Sequence, residues 1–236
     1  MDRLTDYLAL MKARPNLFEN PTHGGIKILK EIEEIHEAEI EEAKKLVARN
    51  LPIEYALVGI VYQDQYLYIV RDAVVFPGDG EYFDQIKKGM FIRIIEPILK
   101  GMSGVIILPV YQEHILLFRQ FRHATRAWHI EILRGFAINT CSGEENARKA
   151  LYEEIGATTS RLISLGQLHP NNGMTSETDE LFFAEVESYT DAEIGEAITE
   201  ILPTPLPEFE RMIRDSEITD GFTIAAYTRA KLHGLL

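Results

Sequence analysis

The 236-residue sequence predicts an α/β fold, built as strands with helices against them and preceded by an N-terminal helical appendage. Three observations carry this. Dense β-branched and apolar runs recur between residues 56 and 120, as strands require. A helical apolar stripe, Ala147, Leu151 and Ile155, follows them. The order of these pieces is mixed rather than alternating strand and helix, so the sheets are expected to be mixed as well. A composition shift at Pro52 places one soft boundary, giving an N-terminal helical segment, 1–52, and a main domain, 53–236, that includes a strand pair within 56–95.

Taken in order, residues 2–13 read as a helix stopped near Arg14 by Pro15, and Asn16 to Gly25 carries loop signals. A second helix follows, with Ile32, Ile35, Ala43, Leu46 and Val47 as its expected apolar stripe. Seven glutamates between Glu31 and Glu42 make its other faces acidic and solvated. Ala56 to Val75 reads as strand, ended by the turn Phe76-Pro77-Gly78-Asp79-Gly80. Gly104 to Val110 and His114 to Gln120 alternate as half-buried strands, with residues 105–108 in the core. The later helix spans 144–155 and is closed by Gly156. No repeat or low-complexity tract interrupts the chain.

Composition excludes several function classes. A net charge of −13 opposes nonspecific nucleic-acid binding, which relies on clustered Lys and Arg at phosphates, so no nucleic-acid partner is expected. Small anions remain admissible where a cation or a few converging arginines meet them. No apolar run approaches the roughly 18 residues of a membrane span, and the start of the chain lacks a signal-peptide layout. A cytoplasmic protein without membrane contact is the expectation. The single cysteine, Cys141, has neither a disulfide partner nor metal-ligand spacing, and reads as an inert loop residue.

The chemistry concentrates between Gly135 and Ala157, GFAINTCSGEENARKALYEEIGA. Glu153 and Glu154 lie on neighbouring azimuths of the helix around position 150, and two carboxylates there can hold a hard cation. This stretch resembles the box of the Nudix hydrolases, G-x5-E-x7-R-E-U-x-E-E-x-G-U with U aliphatic. Gly135, Leu151, Glu153, Glu154 and Gly156 fill it without gaps, with Ala157 a small residue in the last place. Three positions depart from it: Cys141 replaces the first glutamate, Lys149 the arginine and Ala150 a metal-binding glutamate. Lysine keeps the charge but lacks the planar fork, so a bidentate tie that braces the loop is lost.

The flanks resemble the ADP-ribose pyrophosphatase branch. Upstream, FRQFR and then Glu131-Ile132-Leu133-Arg134-Gly135 match its arginine-rich turn and Glu-Ile-Pro-x-Gly, with Leu133 in place of Pro. Downstream, Pro170, Gly173 and Glu177 match its Pro-x-x-Gly-x-x-x-Glu loop, and Ile218, Asp220 and Thr223 its Gly-x-Ile-x-Asp-x-x-Thr turn, with Ser216 for the first Gly. The resemblance covers about residues 57 to 232. It implies an α/β/α sandwich, a homodimer formed through the segment RDAVVFPGDGEYF, and Mg2+ or Mn2+ as cofactor.

By resemblance, the metal ligands are Glu153, Glu154, Glu131 and the Gly135 carbonyl. Arg119, Arg122 and Arg134 would bind substrate, and His123, Arg126, Trp128 and His129 stand beside them. A general base is expected from the acidic loop holding Glu193 and Glu196, with Glu196 preferred. Glu144 would replace the missing ligand only if the loop were shifted. Two functions follow. One is metal-dependent hydrolysis of a nucleoside diphosphate derivative, such as ADP-ribose or another nucleotide sugar, at its pyrophosphate. The alternative is a catalytically impaired domain that binds such a ligand or serves as an interaction module.

Overall fold

A computed structural model describes residues 3–77, 87–96, 103–137, 141–190 and 198–236. The chain divides into two compact units, residues 1–97 with 171–176, and residues 98–170 with 177–236.

In the first unit, α1 (Arg3–Ala13), β1 (Lys27–Ile28) and α2 (Ile32–Ala48) precede β2 (Gly59–Gln63), β3 (Tyr68–Phe76) and β4 (Lys87–Ile95). The central β3 pairs antiparallel with β4 along one edge and with β1 and β2 along the other. Residue 52 lies inside this unit, because α1, α2 and the sheet share one core of Tyr7, Leu10, Phe18, Ile35, Ala38, Val70, Ala73 and Ile95. A buried polar knot ties the pieces. Tyr7 donates to Asp72 at 2.5 Å, and Arg93 forks onto the same carboxylate at 2.5 and 3.1 Å while donating to the Leu17 carbonyl at 2.8 Å. Burial, and then the Asp72 charge, push the Tyr7 hydroxyl well above its ordinary pKa.

The stripe expected on α2 is corrected here. Ile35, Ala38 and Leu46 are buried, whereas Ile32, Ile40 and Val47 are exposed. Eight apolar positions gave this helix two possible faces, and the sheet covers the one centred on Ala38.

The second unit is the α/β/α sandwich. Its sheet contains β5 (Gly104–Tyr111), β6 (His114–Arg122), β7 (Ala127–Glu131), β8 (Leu133–Gly135), β9 (Thr158–Leu168), β10 (Asp179–Ser188) and β11 (Ile198–Pro205). The order is β11-β6-β5-β10-β9, with β7 on β6 and β8 on β5. It is mixed, since β10 runs parallel to β5 and antiparallel to β9. Period-two alternation splits the central strands between two cores. Val105, Ile107, Leu116, Phe118, Phe182 and Ala184 meet α3 (Gly143–Ile155). Ile106, Leu108, Ile115, Leu117, Leu181 and Phe183 share a core with α4 (Leu206–Arg214) and α5 (Gly221–Leu232). The half-buried alternation expected for 104–110 and 114–120 is corrected here: β5 and β6 are buried on both faces, because helices cover each side of the sheet.

Candidate functional site

Helix α3 starts where Ser142 caps it. Its hydroxyl accepts from the Glu145 amide at 3.3 Å, and the Glu145 carboxylate accepts from the Ser142 amide at 2.8 Å. The amide bond, and then the Ser142 hydroxyl donating to the same carboxylate at 2.9 Å, hold the Glu145 carboxyl below its usual range. Glu144 instead pairs with Arg148 at 3.0 Å on the solvent side. Both glutamates of the first turn are thus occupied, and neither stands in for a ligand at position 150. The signal for the cap, Ser-x-x-Glu at 142–145, was present in the sequence.

Ala147, Leu151 and Ile155 are fully buried against the sheet, in the phase expected. Gly156 takes the left-handed conformation, φ 56°, that ends the helix. At the other boundary, Gly135 allows close approach of β8 and α3. A Cβ there would lie 2.9 Å from Val105 and 3.1 Å from Ala150.

Three residues at four-residue spacing, Asn146, Ala150 and Glu154, form one line down α3. Asn146 is 3% exposed and donates its amide to the Phe136 carbonyl at 2.8 Å. Ala150 is buried and Glu154 is half-buried. Glu153 follows the adjacent, exposed line and approaches Lys149 at 3.7 Å. The two carboxylates therefore differ in surroundings, one at the edge of the packed face and the other in solvent.

Glu131 is 1% exposed at the end of β7. One carboxylate oxygen pairs with Arg122 and the other with Arg134 at 3.0 Å. Arg134 also pairs with Asp220 and stacks on Phe222 with its guanidinium 4.4 Å from the ring centre. Asp220 in turn caps α5, accepting from the Thr223 amide at 2.8 Å and hydroxyl at 2.6 Å, while that hydroxyl accepts from the Ile132 amide at 3.0 Å. This explains the Asp-x-x-Thr spacing physically: it fastens the start of α5 to the strand bearing Glu131. Ser216 occupies a positive φ of 62°, which accounts for glycine in the corresponding motif.

The strand register separates Arg119 from Arg122. Arg119 lies opposite Ile130 and Arg122 opposite Ala127, so three residues along one strand send them to opposite faces. Arg122 shares the face of Glu131, whereas Arg119 stacks on Trp128 with its guanidinium 5.8 Å from the ring centre. Around the same turn, Arg126 contacts His123 at 2.7 Å and Thr125 contacts His129 at 2.7 Å. Glu193 and Glu196 lie outside the described residues. Among the described residues no group of three His, Cys, Asp or Glu side chains converges as a metal site.

No family model matches the sequence. Curated relatives do. The chain is similar to a GDP-mannose pyrophosphatase of Citrobacter koseri, 31% identical over 151 residues, covering 58% of this chain and 78% of that protein. The chain belongs to the Nudix hydrolase family. A GDP-mannose pyrophosphatase of Yersinia enterocolitica is 29% identical over 168 residues, covering 65% of this chain and 87% of the relative. A solved structure described as an ADP compounds hydrolase superposes with a TM-score of 0.59 at 17% identity, over 74% of this chain and 90% of that one, which shows the shared fold. The Nudix box is thus the segment from β8 through α3 to Gly156, and its three departures fall at an exposed lysine, a loop cysteine and a buried alanine.

Nudix hydrolases generally use divalent metals. Carboxylate and backbone carbonyl oxygens are the donors a hard divalent cation takes, and such an ion often keeps several of its waters. No helix among the described residues is long and apolar enough to cross a membrane.

Proposed function

We propose that the protein hydrolyses the pyrophosphate linkage of a nucleoside diphosphate derivative, a nucleotide sugar or ADP-ribose, with Mg2+ or Mn2+ as cofactor. The observation that carries this is the box helix, whose buried stripe sets Glu154 at the edge of the face packed on the Gly135 strand. The similarity to two GDP-mannose pyrophosphatases supports it. Glu153, Glu154 and the Gly135 carbonyl are assigned to the cation. When bound, such a cation supplies charge neutralisation on the diphosphate and a water of lowered pKa.

The chain's own residues supply the rest. Arg122, a third exposed and oriented by Glu131, offers a guanidinium to phosphate oxygens. Arg119 with Trp128 offers a cation and an aromatic face from the opposite side of the strand. Arg134 is assigned to bracing, because Glu131, Asp220 and Phe222 already surround its guanidinium. Glu131 is likewise assigned to orienting the arginines, since Arg122 and Arg134 both pair with its carboxylate. Glu196 is assigned as the base that accepts the proton of the attacking water. A homodimer and a cytoplasmic location complete the reading, the dimer by resemblance of the segment that begins at Arg71.

One observation favours the second reading, a ligand-binding domain without turnover: Ala150 is buried where a third carboxylate would complete the cation site. Substrate profiling separates the two. Incubation of GDP-mannose, ADP-ribose, dinucleoside polyphosphates and simple nucleotides with Mg2+ or Mn2+, followed by ion-exchange separation, should yield a nucleoside monophosphate and a phosphorylated remainder. Saturable binding of intact ligand without products would establish the binding module instead.

A further inference from the structure

Asn146 is a polar side chain buried on a face otherwise lined by Ala147, Ala150, Leu151 and Ile155. Burying a carboxamide without a partner is costly, so the bond it makes defines its place. Its amide nitrogen meets the Phe136 carbonyl at 2.8 Å, and its oxygen faces the Cα side of Gly135, 4.0 Å from where a Cβ would stand. The Phe136 side chain contributes nothing to this anchoring, being 94% exposed. What fixes the backbone as it leaves β8 is therefore the Asn146 amide and the close packing of Gly135 on Val105 and Ala150.

We propose that Asn146 is a positioning residue of the Nudix site: it pins the Gly135–Phe136 backbone over the line that runs through Ala150 to Glu154. The inference rests on the reading of this site as a cation site. Two observations on α3 give it a reason. Lys149 is turned to solvent beside Glu153 at 3.7 Å, so it does not tie down the loop as a forked arginine would. The Glu145 carboxylate is spent on the helix cap at Ser142. Among the described residues, the side-chain hydrogen bond to the backbone of 135–137 comes from Asn146. A backbone carbonyl ligand at Gly135 depends on that hold, one residue away.

The test uses the full chain with Mn2+ as the probe. Free Mn2+ is titrated by electron paramagnetic resonance against the parent, Asn146→Leu, which keeps the volume and removes the donor, and Asn146→Ala, which serves if the leucine variant does not fold. Leu151→Val, on the buried stripe but off this line, is the control for plain loss of stability. Groups that orient metal ligands typically contribute roughly 10–100-fold in metal affinity or activity. The Asn146 variants should lose about tenfold in Mn2+ affinity and in kcat, with KM for the nucleotide sugar little changed, and residues 135–137 should exchange amide hydrogen faster. Leu151→Val should melt lower yet bind Mn2+ like the parent. Parent-like Mn2+ affinity in a folded Asn146 variant would overturn the positioning role alone. A parent that binds no Mn2+ would overturn both this inference and the cation-site reading beneath it.

Discussion

Replacing Glu131 by glutamine removes one negative charge from the point where two arginines converge, and leaves the volume of the side chain unchanged. Glu131 is almost fully buried, and Arg122 and Arg134 are 32% and 25% exposed in their side chains. Breaking a buried ion pair costs roughly 3–5 kcal/mol, because an uncompensated charge is left behind. Here the arginines keep some water, and Arg134 keeps Asp220, so the loss should fall lower, about 2–3 kcal/mol, near the worth of one charged hydrogen bond. Urea unfolding followed through Trp128, the chain's single tryptophan and a neighbour of this network on β7, reports on this unit directly. The expected result is a lower midpoint at unchanged slope, with Mn2+ affinity kept within about threefold, roughly 0.65 kcal/mol on the scale of 1.4 kcal/mol per tenfold. Parent-like stability combined with lost Mn2+ binding would show instead that Glu131 is a metal ligand, and would dismantle the network argument.

Three more outcomes are expected. Leu151→Ala should destabilise by about 2–5 kcal/mol, since the side chain is fully buried against the sheet; an unchanged urea midpoint would put Leu151 on the surface and break the helix phase. Ser142→Ala should cost about 1 kcal/mol at neutral pH. Because the Glu145 carboxyl is held below its usual range in the folded chain, its stabilisation is present above the ordinary carboxylate pKa and fades as pH falls through the lowered one. The gap between parent and Glu145→Ala should accordingly shrink in acid, and a gap that stayed constant from neutral to acid pH would remove the cap. Ala150→Glu should tighten Mn2+ and raise hydrolysis, each tenfold in rate being about 1.4 kcal/mol of barrier, while losing about 1–3 kcal/mol of stability against the close-packed Gly135. A stable variant with neither gain would mean that the face has been rebuilt and no longer accepts a ligand there.

Local chemistry made much of this legible in the sequence. The α3 stripe and its Gly156 stop follow from helical period and capping, which operate within a few residues, and β5 and β6 declared themselves by apolar, β-branched runs. Ala56 to Val75, by contrast, holds two strands, β2 and β3, and β1, β7, β8 and β9 are not among the elements expected from the sequence. Opposite facing of Arg119 and Arg122 was also there to be read, since an odd spacing on a strand reverses direction. What stayed hidden depends on distant partners. Glu131, expected by resemblance as a metal ligand, shows its ion pairs only when β6, β8 and the start of α5 bring Arg122, Arg134 and the Asp220 network to it, 86 residues apart in the case of Arg134 and Asp220. The choice of buried face on α2 likewise required knowing which side the sheet would cover. Asn146 gave no signal of its own, because only the packing of β8 on α3 turns a polar residue on a helix into a backbone clamp.

The most direct measurement is hydrolysis of GDP-mannose and ADP-ribose by the parent chain and Glu154→Gln, side by side, with Mg2+ and with chelator, read as phosphate released by added phosphatase. Turnover by the parent that disappears both with chelator and in a folded Glu154→Gln variant is the predicted result, showing that the carboxylates left in the box suffice for metal-dependent catalysis. Turnover that survives Glu154→Gln, or a parent that binds these nucleotides and cleaves none, would contradict it.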